Sequence, residues 1–82
     1  MKSHKISGEK AVKILCNEFG FYISGHKGSH VRLSKVTKLG KIGTVVPLHD
    51  ELKLGTLLGI LKLAKVDPNE FEKFCWIFKS QI

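Results

Sequence analysis

His30 and Arg32 are the residues whose types and spacing offer chemistry. They sit in Gly28-Ser29-His30-Val31-Arg32-Leu33, where polar and apolar side chains alternate. A period of two is the pattern of a half-buried strand. Val31 and Leu33 are therefore expected to face a core, and His30 and Arg32 to face solvent on one surface. An imidazole beside a fixed positive charge suits a phosphodiester: the ring can carry a proton near neutral pH, and the guanidinium can meet charge that builds on phosphoryl oxygens. In RNA the attacking group can be the substrate's own 2′-hydroxyl, so a base and a cation are the minimum that the protein must supply. Lys27 and Lys35 are further candidates for phosphate contact, and Ser29 for orienting the site. An exposed strand histidine with no role fits the same pattern.

Three other histidines are present. His4 lies near the start of the chain and is expected to be inert. His26 stands beside Lys27 between two glycines and is a candidate phosphate contact, while His49 follows Pro47-Leu48. His26 and His49 both stay open as a second proton-transfer group. The H-x3-H spacing of His26 and His30 resembles a zinc pair, but it spans a turn and no cysteine or acid completes the set, so no metal is expected. Ser29 and His30 are neighbours on a strand and point to opposite faces, which excludes a serine nucleophile with its base. Gly25-His26-Lys27-Gly28 opens no helix and lacks the spacing of a phosphate-binding P-loop. Carboxylates are scarce around these residues, which argues against a two-metal nuclease, and no cofactor is implied.

Charge supports the same partner class. Residues 1–42 hold nine lysines and arginines against Glu9 and Glu18, whereas residues 43–82 hold five lysines against five acids. The whole net charge of +7 thus belongs to the half that contains His30. A concentrated positive field attracts polyanions, and nucleic acid is the foremost of these. Eighty-two residues make one domain, residues 1–82, with 43% apolar content for a single small core. No run approaches the roughly 18 apolar residues that a membrane span needs. The basic start, Met1 to Lys5, has no apolar segment behind it and is not expected to be a signal peptide. Cys16 and Cys75 lack metal or redox spacing and read as reduced, small apolar residues of a cytoplasmic protein.

The elements that must hold His30 follow from periodicity and punctuation. A helix is predicted over 7–19, capped by Ser7, with Glu9 in the first turn, Val12, Leu15, Cys16 and Phe19 on its buried face flanked by Ala11 and Ile14, and Gly20 closing it. A short strand over 21–24 leads to a turn at 25–28, and a second strand over 29–35 pairs back on it. Residues 36–41 read as a basic loop, and 44–46 as a third strand stopped by Pro47. Thr56 is expected to cap a second helix that buries Leu57, Ile60, Leu61 and Ala64, with Gly59 marking close packing. Asp67-Pro68-Asn69-Glu70 predicts a third helix with Asp67 as cap and Glu70 closing a capping box. Its stripe of Phe71, Phe74, Cys75 and Phe78, with Trp76 beside it, reads as core, or alternatively as a partner-binding patch. The order α-β-β-β-α, with a short extra C-terminal helix, gives an α+β fold with a three-stranded antiparallel sheet, the order found in double-stranded-RNA-binding domains.

These motifs in this order resemble the HicA toxin family, also called the YcfA family. The resemblance rests on Ile6-Ser7-Gly8, Leu15 to Gly20-Phe21, Lys27-Gly28-Ser29-His30 and Val45-Val46-Pro47-Leu48-His49. It continues through Leu54-Gly55-Thr56-Leu57, Ile60-Leu61 and Asp67-Pro68-Asn69-Glu70-Phe71, and covers about residues 6–74. It implies the toxin of a type II toxin–antitoxin pair acting as a metal-independent mRNA interferase, with the family's catalytic histidine mapping onto His30. It also implies neutralisation by a HicB-type antitoxin that covers the active face. The tail from Phe74 to Phe78 extends past the usual end of the family and is a candidate for packing or homo-oligomerisation. A non-catalytic RNA-binding domain using the same face is the alternative, and a protein-interaction module with an aromatic tail is the third.

Overall fold

The computed structural model describes residues 5–80, with side chains as far as Cys75. His4, Trp76 and Phe78 therefore lie outside the described residues or side chains. The order is α1 (Gly8–Phe19), β1 (Tyr22–Lys27), β2 (His30–Thr37), β3 (Gly40–Pro47), α2 (Leu54–Ala64) and α3 (Pro68–Ser80). The three strands form one antiparallel sheet in the order β1-β2-β3, with the helices added to it. This is the α+β architecture of a double-stranded-RNA-binding domain with one more helix at its end. Among the described residues, no helix is long and apolar enough to cross a membrane.

α1 forms as its sequence dictates. The Ser7 hydroxyl accepts from the Lys10 amide at 3.1 Å, and Gly20 ends the helix at φ +76°. Glu9 pairs with Lys13 one turn on, at 3.4 Å. The buried face is centred on Ala11, Ile14 and Leu15, while Val12, Cys16 and Phe19 are only partly covered. The expected stripe is thus rotated. The reason is that α1 packs on two surfaces: its inner residues meet the sheet, and Phe19 turns to α3, where its ring lies 6.3 Å from Phe71 and 5.4 Å, edge-on, from Phe74.

The sheet corrects the expected turns. β1 runs on through Gly25, His26 and Lys27, and the loop shrinks to Gly28-Ser29. Gly28 takes φ +58° at the first loop position, as a tight hairpin of type II′ requires. Residues 36–41 are not a loop. Val36 and Thr37 continue β2, Gly40 and Lys41 open β3, and Lys38-Leu39 form the tip. The Thr37 hydroxyl closes this tip by accepting from the Leu39 amide and donating to the Gly40 carbonyl. Side-chain hydrogen bonds to a two-residue turn were hidden beneath the basic composition of the segment.

α2 begins at Leu54, and its cap, Lys53, makes no side-chain bond, so Thr56 is inside the helix. Leu52 sets this earlier start. It is buried, and its amide donates to the Ile6 carbonyl at 2.8 Å. At the next cap, Asp67 accepts from the Asn69 amide at 2.8 Å as expected, whereas Glu70 reaches forward to Lys73 instead of back to close a box. Phe71 is fully buried and Phe74 partly so, which makes these two rings core. Cys16 and Cys75 are free thiols, and burial, followed by the charge of Glu72, pushes Cys75 up to about 11.

Close packing occurs at Gly8 and not at Gly59. A Cβ on Gly59 would meet open space, while one on Gly8 would collide with the carbonyl of Pro47. There the Gly8 amide donates to the His49 carbonyl at 2.9 Å, tying the start of α1 to the end of β3. The buried Thr44 hydroxyl likewise donates to the Ile60 carbonyl at 2.9 Å and ties β3 to α2.

Gly8→Ala tests the first seam. Better helix propensity favours alanine by at most about 1 kcal/mol. Intrusion on a fixed backbone costs about 3 kcal/mol. Urea unfolding is therefore expected to show net destabilisation of about 2 kcal/mol, and a neutral or stabilising result would contradict the contact.

Candidate active site

Directly opposed residues in an antiparallel pair share a face. Register alone therefore assembles the site. On β2, His30 opposes Lys27 of β1 and Pro47 of β3, while Arg32 opposes Gly25 and Val45. His30, Lys27, Arg32 and Val45 are all exposed, and Val31 and Leu33 between them are buried. The alternation read from the sequence is thus the alternation of the fold. His30 stands on the central strand, beside a two-residue loop whose Ser29 carbonyl accepts from the Leu48 amide at 2.6 Å.

These side chains surround a shallow cavity of about 240 Å³ lined by Gly25, His26, Lys27, His30, Arg32 and Val45. No acid lines it. Gly25 keeps it open: with no side chain there, the stem of Arg32 is uncovered, its Cβ 3.6 Å from where a Cβ on Gly25 would stand. Just before Gly25 the ladder slips by one residue, a β-bulge at Ser24. Its hydroxyl lies 2.6 Å from that of Ser34, which is 3% exposed, and the pair anchors the bulged edge strand to the central one. Bulges bend and twist a strand and recur beside functional sites.

Of the six candidate residues, four meet at this cavity: His26, Lys27, His30 and Arg32. Ser29 is in the adjoining loop. Lys35 is not with them. Its side chain leaves from the other face, where its ammonium lies 5.7 Å from the Phe21 ring centre, and it lines a different cavity. His26 opposes the buried Val31, so it also lines a larger cavity on the α1 side, together with His49, Glu9 and Asp50. Among the described residues, no group of three or more His, Cys, Asp or Glu is placed to hold a metal ion. Sequence reasoning missed Gly25 and Val45. The signal for Gly25 was present, because a glycine inside a strand marks a bulge or a close approach.

The family model for the HicA toxin of bacterial toxin–antitoxin systems matches residues 8–66. The chain belongs to the HicA toxin family. The matched span runs from the first residue of α1 to just past α2, so the whole sheet and the His30 cavity are HicA structure, and α3 follows it. Membership in a toxin–antitoxin family implies an antitoxin as partner. No curated protein and no solved structure matches the chain.

The position of the loop that carries Gly28-Ser29-His30 is open to a paired test. Gly28 has a positive φ, so Gly28→Ala is expected to cost about 1–2 kcal/mol in unfolding free energy. Gly25 is ordinary strand backbone with room for a methyl group, so Gly25→Ala should stay within about 0.5 kcal/mol. Equal costs would return the turn to residues 25–28.

Proposed function

We propose that this HicA-family chain is a metal-independent endoribonuclease, an mRNA interferase, with His30 as its proton-transfer residue. One observation carries the reading: an exposed imidazole on the central strand stands in an open cavity between Lys27 and Arg32, with no acid lining it. In the proposed reaction His30 takes the proton of an RNA 2′-hydroxyl. The freed oxygen attacks the adjacent phosphorus, and the 5′-oxygen of the next nucleotide leaves with a proton. The products are a 2′,3′-cyclic phosphate and a 5′-hydroxyl. Arg32 and Lys27 meet the charge that develops on the phosphoryl oxygens, Arg32 with its planar fork of donors. His26 lines the same cavity and is better placed than His49 to supply the leaving-group proton, because His49 lines the cavity behind it and not this one. Ser29 fixes the loop from which His30 departs.

The same exposed, basic face suits a HicB-type antitoxin, whose docking would bury His30 and close the cavity to RNA. Cellular work of this kind is cytoplasmic. A non-catalytic RNA-binding domain is the second reading, favoured by the net charge of +7 alone.

His30→Ala is expected to keep its affinity for RNA and lose cleavage by about 10²–10⁴-fold. Arg32→Lys, which keeps the charge and loses the fork, should lower kcat by at least about tenfold. Both are read on labelled RNA in EDTA, with the cyclic phosphate identified on the product. Wild type that binds RNA and cuts none of it in EDTA would leave the second reading.

A further inference from the structure

A second basic cavity, of about 600 Å³, lies at the far end of the sheet. Lys35, Lys38, Lys41 and Lys65 line it together with Thr37, Ile42 and Val66, and again no acid lines it. Two elements build it: the rigid β2–β3 tip and the end of α2. We propose that Lys38, Lys41 and Lys65 form a second binding surface that holds backbone phosphates of the same RNA whose scissile bond lies at His30. This inference rests on the ribonuclease reading.

Three features support it. The first is Lys65, the one non-glycine residue with positive φ among the described residues, at +56°. It terminates α2 where α1 uses glycine, its amide donating to the Lys62 carbonyl while Val66 donates to that of Leu61. Glycine is the usual residue there because a side chain is strained in this conformation. A lysine held there against that strain has a side chain with work to do.

The second is the tip. The Thr37 hydroxyl ties down the Leu39 amide and the Gly40 carbonyl, so Lys38 and Lys41 are offered from a closed turn and not from a loose loop. Leu39 at its apex is 99% exposed.

The third is the surface that leads from the His30 cavity to the tip. Register places His30, Arg32, Ser34 and Val36 of β2 on one face with Pro47, Val45, Gly43 and Lys41 of β3. Between Arg32 and Lys41 the two strands carry only Ser34, Gly43 and Val36 on this face, and Tyr22 of β1, opposite Ser34 and 46% exposed, offers a ring beside the track on which a base can stack. The eight residues of β2, His30–Thr37, make seven steps and span about 23 Å, which matches roughly seven stacked nucleotides at ~3.4 Å each. The track ends at Lys41, and from there the RNA reaches Lys65, on the helix side of the sheet, by passing over the tip at Lys38. Both ends of this path are cationic and neither cavity is lined by an acid, which is the complement of a polyphosphate chain.

The test compares wild type with Lys38→Ala/Lys41→Ala/Lys65→Gly, using a trinucleotide and a mixed-sequence RNA of about twelve nucleotides. Trinucleotide kcat/KM should be unchanged within about twofold. Affinity for the longer RNA should fall at least tenfold, and the slope of log K against log salt should flatten by about 2, since each single-strand phosphate contact contributes about 0.7. Lys65→Gly alone should weaken the longer RNA while its melting temperature stays equal or rises, a combination that a structural role does not produce. An unchanged affinity and slope in the triple variant would overturn the proposal and leave the His30 reading intact. So would loss of an acidic peptide with RNA affinity retained, which would make the groove a protein-docking surface. If wild type cleaves neither substrate, the ribonuclease reading fails, and the groove is still judged from the binding data.

Discussion

Everything in this molecule depends on β2 being paired along both edges. A strand in the middle of a sheet has its backbone donors and acceptors taken by neighbours on each side, so its register is held twice. From His30 to Thr37 the pairing with β3 continues without a slip, and Val31, Leu33 and Val46 are buried beneath it. Shifting β2 by one residue would put Val31 and Leu33 in water and His30 and Arg32 in the core. The position of His30 is therefore a consequence of core burial. The imidazole is exposed because its neighbours must not be.

The edge strand β1 is where the fold departs from regularity, and it does so next to the site. The bulge at Ser24 gives β1 one more residue than β2 over the same length. Lys27 still arrives opposite His30, and Gly25 opposite Arg32. The hydroxyl pair of Ser24 and Ser34 holds this irregular stretch to the central strand, so the edge is anchored where the ladder is weakest. Side chains on this face are then arranged by backbone pairing alone, which keeps a cationic surface open with few contacts spent on it.

The helices supply rigidity from behind. α1 is joined to the end of β3 by the close approach of Gly8 to Pro47 and its bond to His49, and α2 is joined to β3 through Thr44. Phe19, Phe71 and Phe74 join α3 to α1. Thus three helices brace a sheet whose other face is left to solvent. A chain of 82 residues has little core to spare, and this one places all of it on one side of β2. The free side carries His30, Lys27, Arg32 and Lys41.

The sequence by itself determined the order of elements, the two faces of residues 30–33, the caps at Ser7 and Asp67, and the reach of the HicA resemblance. Each of these is local: alternation, capping and glycine at a helix end act over two to four residues, and the chain carries them in plain view. Alternation along residues 30–35 already sets Lys35 on the face of Val31 and Leu33. Only the tertiary structure decided that Lys27 shares the His30 cavity, because the pairing of β1 with β2 brings it there. It also decided where the tight glycine is, since a collision between Gly8 and Pro47 joins residues far apart in the chain that no periodicity connects. The turn at Gly28-Ser29 and the tip at Lys38-Leu39 were misjudged for the same reason. Strand length in a sheet is set by what the partner strand can pair with, and a single stretch of sequence does not contain its partner.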